Sequence, residues 1–284
     1  MISAQKPSSD RPTLAMPALL YGTAWKKERT EALVIKAIET GFQGIDTACQ
    51  PKHYHESGVG VALQRLQDQN TIREKLFIQT KFTPLAGQDP KRIPYDPDAS
   101  VEDQVKQSFE TSIHNLQTDY VNAFILHSPI QPHSKLMAAW HAMEAIYQQG
   151  GTHQLGISNC YELATLKQLY TNATVKPSIV QNRFYQQTQY DSVLRQWCLD
   201  QGVVYQSFGT LTANPHLLAS SVVKQLAQHY QRTSAQILFR YLNQRTVMPL
   251  TGTCSELHMR EDLDILTFKL LGNELQCIDA ELAQ

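Results

Sequence analysis

Four ionisable side chains lie close to the ends of apolar segments that are typical of β-strands. Asp46 ends the segment GID, Lys81 lies in IQTKF, and His127 closes VNAFILH. Tyr54 follows Asp46 by 8 positions. Because the carboxyl ends of parallel strands open on one face, α/β enzymes place their reactive groups there. The order therefore predicts one site that combines a carboxylate, a phenol, an ammonium and an imidazole, the groups of acid–base chemistry.

Each of these residues alone also has an ordinary structural explanation. Asp46 could cap a helix, and His127 could be a hydrogen-bonded core histidine. Lys81 could be buried against a carboxylate, or it could form a Schiff base with a carbonyl substrate, as in an aldolase. Their arrival at successive strand ends favours one shared functional role.

A possible metal site in the same stretch is not supported by its spacing. Cys49, His53, His55 and Glu56 are potential ligands, but C-x3-H-x-H matches no zinc pattern and offers no obvious fourth ligand. We therefore expect no metal site.

The elements that must position these residues alternate regularly along the chain. Apolar runs separated by helical patterns predict a parallel sheet with right-handed crossovers, and eight repeats favour a closed (β/α)8 TIM barrel. The predicted strands cover 19–21, 44–47, 76–80, 120–126, 154–157, 178–182, 203–207 and 246–250. Residues 1–13 are polar and predict a flexible N-terminal leader, and residues 14–284 form the single barrel domain.

Composition narrows the classes of partner. A net charge of −1 offers no basic surface for nucleic acid, and no apolar run is long enough to span a membrane. The cysteine count is odd, 5, with no CxxC pair, which fits free thiols in a reducing compartment. We expect a cytoplasmic protein that is a monomer or a weak homodimer.

The motifs, taken in order, resemble the aldo-keto reductase superfamily. The resemblance is carried by GFQGIDTA, Tyr54, IQTKF, LQTDYVNAFILHSP, LGISN, VQNRFY and PLTG, and it spans Gly22 to Asp262. Some microbial and fungal members resemble this chain in carrying the same CQPKHY insertion. This resemblance implies a TIM barrel that reduces aldehydes and ketones to alcohols with a nicotinamide cofactor.

The resemblance also implies a role for each of the four residues, and the roles are chemically reasonable. Carbonyl reduction needs a hydride at carbon and a proton at oxygen. Tyr54 would donate the proton, and the Lys81 ammonium would lower its pKa from about 10 toward neutrality. Asp46 would pair with Lys81, and a neutral His127 would hydrogen-bond the carbonyl oxygen.

Cofactor and substrate contacts follow from the same resemblance, with NADPH as the expected cofactor and a small carbonyl compound as substrate. Ser158, Asn159 and Gln181 would hold the nicotinamide carboxamide, and Tyr205 would stack on its ring. The other predicted cofactor contacts are Thr23, Asp46, Ser207, Leu211, Leu250, Thr251, His258 and Asp262. Trp25, Phe82 and His127 are predicted to line the substrate pocket.

Two departures from the family pattern leave alternatives open. The insertion places either Tyr54 or, counting back from Glu56, His53 at the acid position. In the segment that grips the 2′-phosphate of NADPH, Leu250 replaces a lysine and His258 or Glu256 occupies the arginine position, although Arg260 lies nearby. NADH is therefore a possible cofactor. A regulatory protein that binds cofactor with little turnover is a further alternative.

Overall fold

The computed structural model describes residues 14–68 and 73–283, and the predicted leader 1–13 lies outside the described residues. Eight parallel strands form a closed barrel in the order in which they occur in the sequence. The predicted TIM barrel is therefore confirmed. Helices cover the outside, and none of those in the described part of the chain is both long and apolar enough to cross a membrane.

Strand limits differ from the predicted ones by at most two residues. The strands are β1 (Leu20–Gly22), β2 (Gly44–Asp46), β3 (Phe77–Phe82), β4 (Val121–Leu126), β5 (Thr152–Ser158), β6 (Ile179–Arg183), β7 (Val204–Phe208) and β8 (Val247–Thr251). The helices are α1 (Thr30–Thr40), α2 (Glu56–Asp68), α3 (Val101–Leu116), α4 (His133–Gln148), α5 (Leu163–Asn172), α6 (Ser192–Asp200), α7 (Pro215–Ala219), α8 (Ser221–Tyr230), α9 (Ser234–Gln244), α10 (Glu256–Leu263) and α11 (Gly272–Leu282).

The barrel has a small inner core and a large outer one. The inner cluster consists of Leu20, Phe77, Ala123, Ile125, Ile179, Met248 and Leu250. The outer cluster lies between strands and helices and contains most of the buried apolar residues. Since successive strand residues point to opposite faces, membership of a cluster identifies the face of each strand residue.

Close packing around β2 fixes the strand that carries Asp46. A Cβ atom at Gly44 would lie 2.3 Å from Leu20 Cδ2 and 2.6 Å from Pro17 Cγ, so only glycine fits there. Asp46 is the next residue on the same face, and it pairs in register with Gly22 of β1 and Gln79 of β3. The Asp46 carboxylate therefore lies at a fixed position along the barrel axis.

A buried carboxylate connects the segment of Tyr54 to the outside of β3. Glu56, the first residue of α2, is only 4% exposed. Its carboxylate accepts hydrogen bonds from Thr80 Oγ1 and, at 3.1 Å, from Asn115 Nδ2. No salt bridge reaches it from any described residue. Burial raises the pKa of Glu56, and the hydrogen bonds offset this only in part.

This carboxylate makes a specific contribution to the pH dependence of stability. A raised folded pKa stabilises the native state fully below the unfolded pKa of about 4.3, and this contribution is lost as the pH rises through the folded pKa. We expect the melting temperature of Glu56→Gln, measured relative to that of wild type, to increase as the pH rises from 5 to 8. The increase should be about 2–4 °C for each kcal/mol of unfolding free energy that the substitution recovers. Thermal melts across this range, with exposed Glu110→Gln as control, measure the difference. A constant offset between wild type and Glu56→Gln would contradict the prediction.

Candidate active site

Asp46 and Lys81 form a buried ion pair inside the barrel. The Lys81 ammonium, 0% exposed, donates to both Asp46 carboxylate oxygens at 2.8 and 2.7 Å and to the Thr47 carbonyl oxygen at 2.9 Å. Burial alone would lower the pKa of Lys81, but the Asp46 carboxylate and Tyr54 outweigh it, so the pKa is raised. Lys81 therefore remains a cation at neutral pH.

Tyr54 lies directly beside this pair. Its ring centroid is 5.1 Å from Lys81 Nζ. Burial raises the pKa of Tyr54, while the charge of Lys81 lowers it and that of Asp46 raises it. The net direction is upward, so the expectation that the pKa of Tyr54 is shifted toward neutrality is wrong. Lys81 limits the increase, and Tyr54 keeps its proton at neutral pH.

His127 completes the group. Its ring lies edge-on to Tyr54 with the centroids 6.1 Å apart. Nδ1 is 2.6 Å from Thr83 Oγ1, and the His127 carbonyl oxygen accepts a 2.8 Å hydrogen bond from Asn159 Nδ2. Burial, followed by the positive charge of Lys81, holds the pKa of His127 well below its usual value. The imidazole is therefore neutral, with a single N–H.

The loop between β2 and α2 brings Tyr54, and not His53, next to Lys81. The backbone N–H groups of His53 and Tyr54 both donate to the Gln50 carbonyl oxygen, at 3.1 and 3.0 Å, which closes a tight turn. Gln50 Nε2 fastens this turn to the Gly87 carbonyl oxygen at 2.7 Å. The His53 ring stacks on Trp25 instead, with centroids 4.0 Å apart. Trp25 is 65% exposed and so lies at the rim.

The potential metal ligands of the same loop are dispersed. Cys49 and Glu56 are buried, His53 is on Trp25, and His55 Nδ1 lies 3.2 Å from the Lys27 carbonyl oxygen. Among residues 14–68 and 73–283, no cluster of histidine, cysteine and carboxylate side chains could hold a metal ion.

An amide network surrounds Asp46 from below and from the side. Gln79 Nε2 and Gln181 Nε2 donate to Asp46 Oδ1 at 2.7 and 3.0 Å. Gln206 joins them, because its Oε1 accepts from both of these amides at 2.9 Å and its Nε2 donates to Gln79 Oε1 at 3.0 Å. The network fixes the Asp46 carboxylate and the Gln181 amide relative to each other.

Two of the predicted ring contacts lie on the wrong side of the sheet. Tyr205 belongs to the outer cluster, and its hydroxyl donates to Asp191 Oδ2 at 2.8 Å. Phe82 also belongs to the outer cluster, where it packs against Tyr95. Both predictions are wrong because the neighbouring residues Gln206 and Lys81 point inward, and alternation sends Tyr205 and Phe82 outward.

The inner face of β7 supplies a different aromatic ring. Phe208, at the end of the strand, is half-buried against the inner cluster. Sequence analysis missed Phe208, Gln79 and Gln206. A signal was available for Gln79, which lies two residues before Lys81 and must therefore share its face.

The remaining predicted cofactor contacts are distributed unevenly around the mouth. Ser158 Oγ donates to the Gln181 carbonyl oxygen at 2.7 Å and accepts from Asn159 at 3.3 Å, so these three lie together. Thr23 Oγ1 donates to the Asp46 carbonyl oxygen at 2.9 Å.

The side chains of four other predicted cofactor contacts interact with other groups of the protein. Ser207 is buried against Thr210, and Leu211 packs on the outer cluster. Thr251 donates to Asp262 at 2.7 Å, and burial raises the pKa of Asp262 to about 6.

The sequence profile of the Aldo/keto reductase family matches residues 18–282, the span that forms the barrel and carries all four ionisable residues. The chain belongs to this family. It is an oxidoreductase of the class that reduces carbonyl groups, and aldo-keto reductases use NAD(P)H.

Similar proteins cover nearly the whole barrel. A glyoxal reductase of Bacillus subtilis is 30% identical over 89% of this chain and 83% of its own length. An NAD/NADP-dependent indole-3-acetaldehyde reductase of Schizosaccharomyces pombe is 29% identical over 91% and 88%. A crystal structure of an aldo-keto reductase complexed with NADPH has a TM-score of 0.78 over 93% of this chain and 84% of that one, at 24% identity.

The chemistry of the side chains around Asp46 fits the nicotinamide half of such a cofactor. A carboxamide needs both donors and acceptors, and Ser158, Asn159 and Gln181 offer hydroxyl and amide groups close to the His127 carbonyl oxygen and the Asp46 carboxylate.

The β8–α10 connection is less basic than the family pattern implied. Leu250 packs in the inner cluster and His258 is exposed. Glu256 forms salt bridges with Lys36 at 2.5 Å and with Arg260 at 2.6 Å. Arg260, the cation that the sequence offered as a phosphate partner in this aldo-keto reductase, is thus already paired.

Proposed function

We propose that this protein reduces small aldehydes and ketones to alcohols with a nicotinamide cofactor, and that Tyr54 supplies the proton. The observation that best supports this proposal is the buried Asp46–Lys81 ion pair, with Tyr54 and the neutral His127 beside it. The names of two relatives, a glyoxal reductase and an indole-3-acetaldehyde reductase, support an aldehyde as substrate.

In this proposal the bound cofactor supplies the hydride, and the chain's own residues manage the proton. His127 donates a hydrogen bond to the carbonyl oxygen and orients it. Tyr54 donates its proton to the same oxygen as negative charge develops there. Lys81 stabilises the resulting phenolate, and Asp46 keeps Lys81 charged. Because the pKa of Tyr54 is raised, its hydroxyl is protonated before substrate binds.

The environment of Lys81 argues against the aldolase alternative. A Schiff-base nucleophile must be a free amine, and such lysines have depressed pKa values. The pKa of Lys81 is raised, and its ammonium donates to Asp46 and Thr47. A complete acid–base group likewise favours turnover over a purely regulatory role.

The test is consumption of NADPH or NADH, followed by absorbance, with a panel of small aldehydes and ketones. We expect turnover that requires both cofactor and carbonyl compound. Trapping of substrate on Lys81 by borohydride, with no cofactor oxidation, would instead indicate the aldolase. Tight cofactor binding without turnover would indicate the regulatory protein.

We further propose NADPH as the cofactor, with NADH accepted at similar affinity. Ser158, Asn159 and Gln181 would hold the carboxamide, and Phe208 takes the place of Tyr205 as the aromatic residue beside the ring. The NADPH-complexed structural neighbour and the NAD/NADP-dependent relative support the use of both cofactors. Glu256 pairs with Lys36 and Arg260, so two of the cations near the β8–α10 connection are already engaged by a carboxylate. Lys26 and Arg29 contact Gly252 and Cys254 of this connection.

Removing the Glu256 carboxylate should therefore increase selectivity for NADPH. Glu256→Gln releases Lys36 and Arg260, and a dianionic phosphate gains two cationic neighbours. We expect the Kd for NADP⁺ to fall about 3- to 10-fold, which corresponds to roughly 1 kcal/mol, while the Kd for NAD⁺ changes less than about twofold. Fluorescence titration of the intact protein measures both constants.

A matched control is available on the neighbouring helices. Glu31→Gln breaks an interhelical salt bridge with Arg65, 2.6 Å in length, without touching the β8–α10 connection. Its Kd values should match those of the wild type. Equal tightening for both cofactors in Glu256→Gln, or none, would show that Glu256 does not control the 2′-phosphate.

A further inference from the structure

Thr83 contacts the catalytic histidine, although neither the motifs nor the proposed proton transfer gave it a role. It follows β3 directly, and its Oγ1 lies 2.6 Å from His127 Nδ1. The residue is 2% exposed. Its carbonyl oxygen accepts hydrogen bonds from the Tyr95 hydroxyl at 2.9 Å and from Gln88 Nε2 at 3.2 Å, so its backbone is held in place.

The imidazole is held equally firmly. The His127 backbone N–H donates to the Phe82 carbonyl oxygen at 2.8 Å, and its own carbonyl oxygen accepts from Asn159. The contact between Thr83 and His127 is therefore made by two side chains on fixed backbone, and its direction decides which ring nitrogen carries the proton.

The hydroxyl proton of Thr83 indicates that direction. Within the described part of the chain, His127 Nδ1 is the one acceptor within hydrogen-bond distance of Thr83 Oγ1. If Nδ1–H donated to Thr83, the buried hydroxyl proton would have no acceptor, at a cost of about 1–3 kcal/mol. If Thr83 donates, both groups are satisfied.

We propose that Thr83 is a positioning residue that holds His127 in the Nε2–H tautomer, so that Nε2 donates to the substrate carbonyl oxygen. The proposal rests on the proposed function for its catalytic consequence, whereas the tautomer is a property of the protein alone. A neutral imidazole has a single N–H, and Nε2 has no hydrogen-bond partner among the described residues, which leaves it available to a ligand.

Two substitutions separate the hydroxyl from the shape of the side chain. Thr83→Val keeps the branched shape and removes the donor, whereas Thr83→Ser keeps the donor. We expect long-range ¹H–¹⁵N NMR of the ¹⁵N-histidine-labelled full chain to show Nε2–H in wild type and in Thr83→Ser. The chain has 10 histidines, so His127→Asn assigns the signal. Thr83→Val should shift the population toward Nδ1–H.

Kinetics provide the second measurement. A loss of roughly 1.4 kcal/mol of transition-state stabilisation corresponds to a tenfold lower rate. We expect kcat for aldehyde reduction to fall about tenfold in Thr83→Val and to be restored in Thr83→Ser, with an unchanged Kd for NADP⁺. If Thr83 had a purely structural role, Thr83→Val would leave the tautomer unchanged, and kcat would not depend on whether residue 83 carries a hydroxyl.

The outcomes are distinguishable from those of the proposed function. An Nδ1–H imidazole in the wild-type protein overturns the proposal even if Thr83→Val does not fold, because that measurement needs no variant of Thr83. An unchanged tautomer in Thr83→Val also overturns it. A third outcome is an Nε2–H tautomer that depends on the Thr83 hydroxyl in a protein that reduces no carbonyl compound. That outcome supports the role of Thr83 and contradicts only the proposed reductase activity.

Discussion

Tyr54→Phe should lower kcat for aldehyde reduction by about 10²- to 10⁴-fold, the range contributed by a positioned general acid. The substitution removes one oxygen atom, and the ring can keep its contacts with Lys81 and His127. Cofactor affinity should change less than about twofold, because the proposed role of the phenol is to donate a proton to the substrate oxygen. Single-turnover kinetics with saturating NADPH, together with a Kd for NADP⁺, measure both quantities.

Two control variants make this result specific. Tyr170→Phe removes a phenol from α5, where the ring packs edge-on against Trp197, and should leave kcat unchanged. His53→Gln replaces the imidazole that stacks on Trp25. It should alter KM for bulky aldehydes more than kcat, since the stack lies at the rim. A large loss of kcat in His53→Gln with an active Tyr54→Phe would reassign the acid to His53.

The sequence was sufficient for the barrel because its signal is repeated eight times. Each apolar run is followed by a helical pattern, and an error of one or two residues at any boundary does not change the topology. Asp46 and Lys81 could be placed in the same way, since a charged residue in a fully buried strand needs a partner and neighbouring strands provide it.

The face of a strand was harder to predict than its position. In β7 the segment VYQSF has polar groups on both faces, with Tyr205 and Ser207 on one and Gln206 on the other. Hydrophobic alternation therefore does not identify the inward face. The structure shows that Gln206 joins the amide network and that Tyr205 bonds Asp191, and both contacts are long-range.

The loop between β2 and α2 shows a second limit of sequence reasoning. Counting from Asp46 or from Glu56 gives different residues at the acid position. The choice depends on the turn closed by the Gln50 carbonyl oxygen and on the hydrogen bond from Gln50 to Gly87, 37 residues away in the chain. The spacing of residues along the sequence does not predict that hydrogen bond.

The direction of the Tyr54 pKa also required coordinates. The sequence supplies the neighbouring ammonium, which favours the phenolate. The degree of burial, which opposes it, depends on packing of the whole site, and here burial is the larger effect. In the proposed mechanism the acid is consequently a protonated phenol whose phenolate Lys81 stabilises during proton transfer, rather than a phenol that is already partly ionised.

The ion pair beneath Tyr54 should show an asymmetric cost when either partner is removed. Asp46→Leu leaves a fully buried ammonium with the Thr47 carbonyl oxygen as its remaining strong acceptor. We expect a loss of about 3–5 kcal/mol in the free energy of unfolding, the range for an uncompensated buried charge. Lys81→Met should cost less, because Gln79 and Gln181 still donate to the Asp46 carboxylate.

The double variant tests whether the charge itself is responsible. Asp46→Leu combined with Lys81→Met removes both charges, and it should recover at least half of the stability lost in Asp46→Leu while remaining inactive. Urea unfolding of the three variants and kcat measurements provide the comparison. Lys106→Met, which breaks an exposed pair with Asp103, should change stability by no more than about 1 kcal/mol. Equal costs for the two single variants, or no recovery in the double variant, would mean that packing rather than an unpaired charge sets the penalty. In that case Lys81 would influence Tyr54 mainly through its position, and a neutral hydrogen-bond donor such as glutamine at residue 81 should then retain measurable turnover.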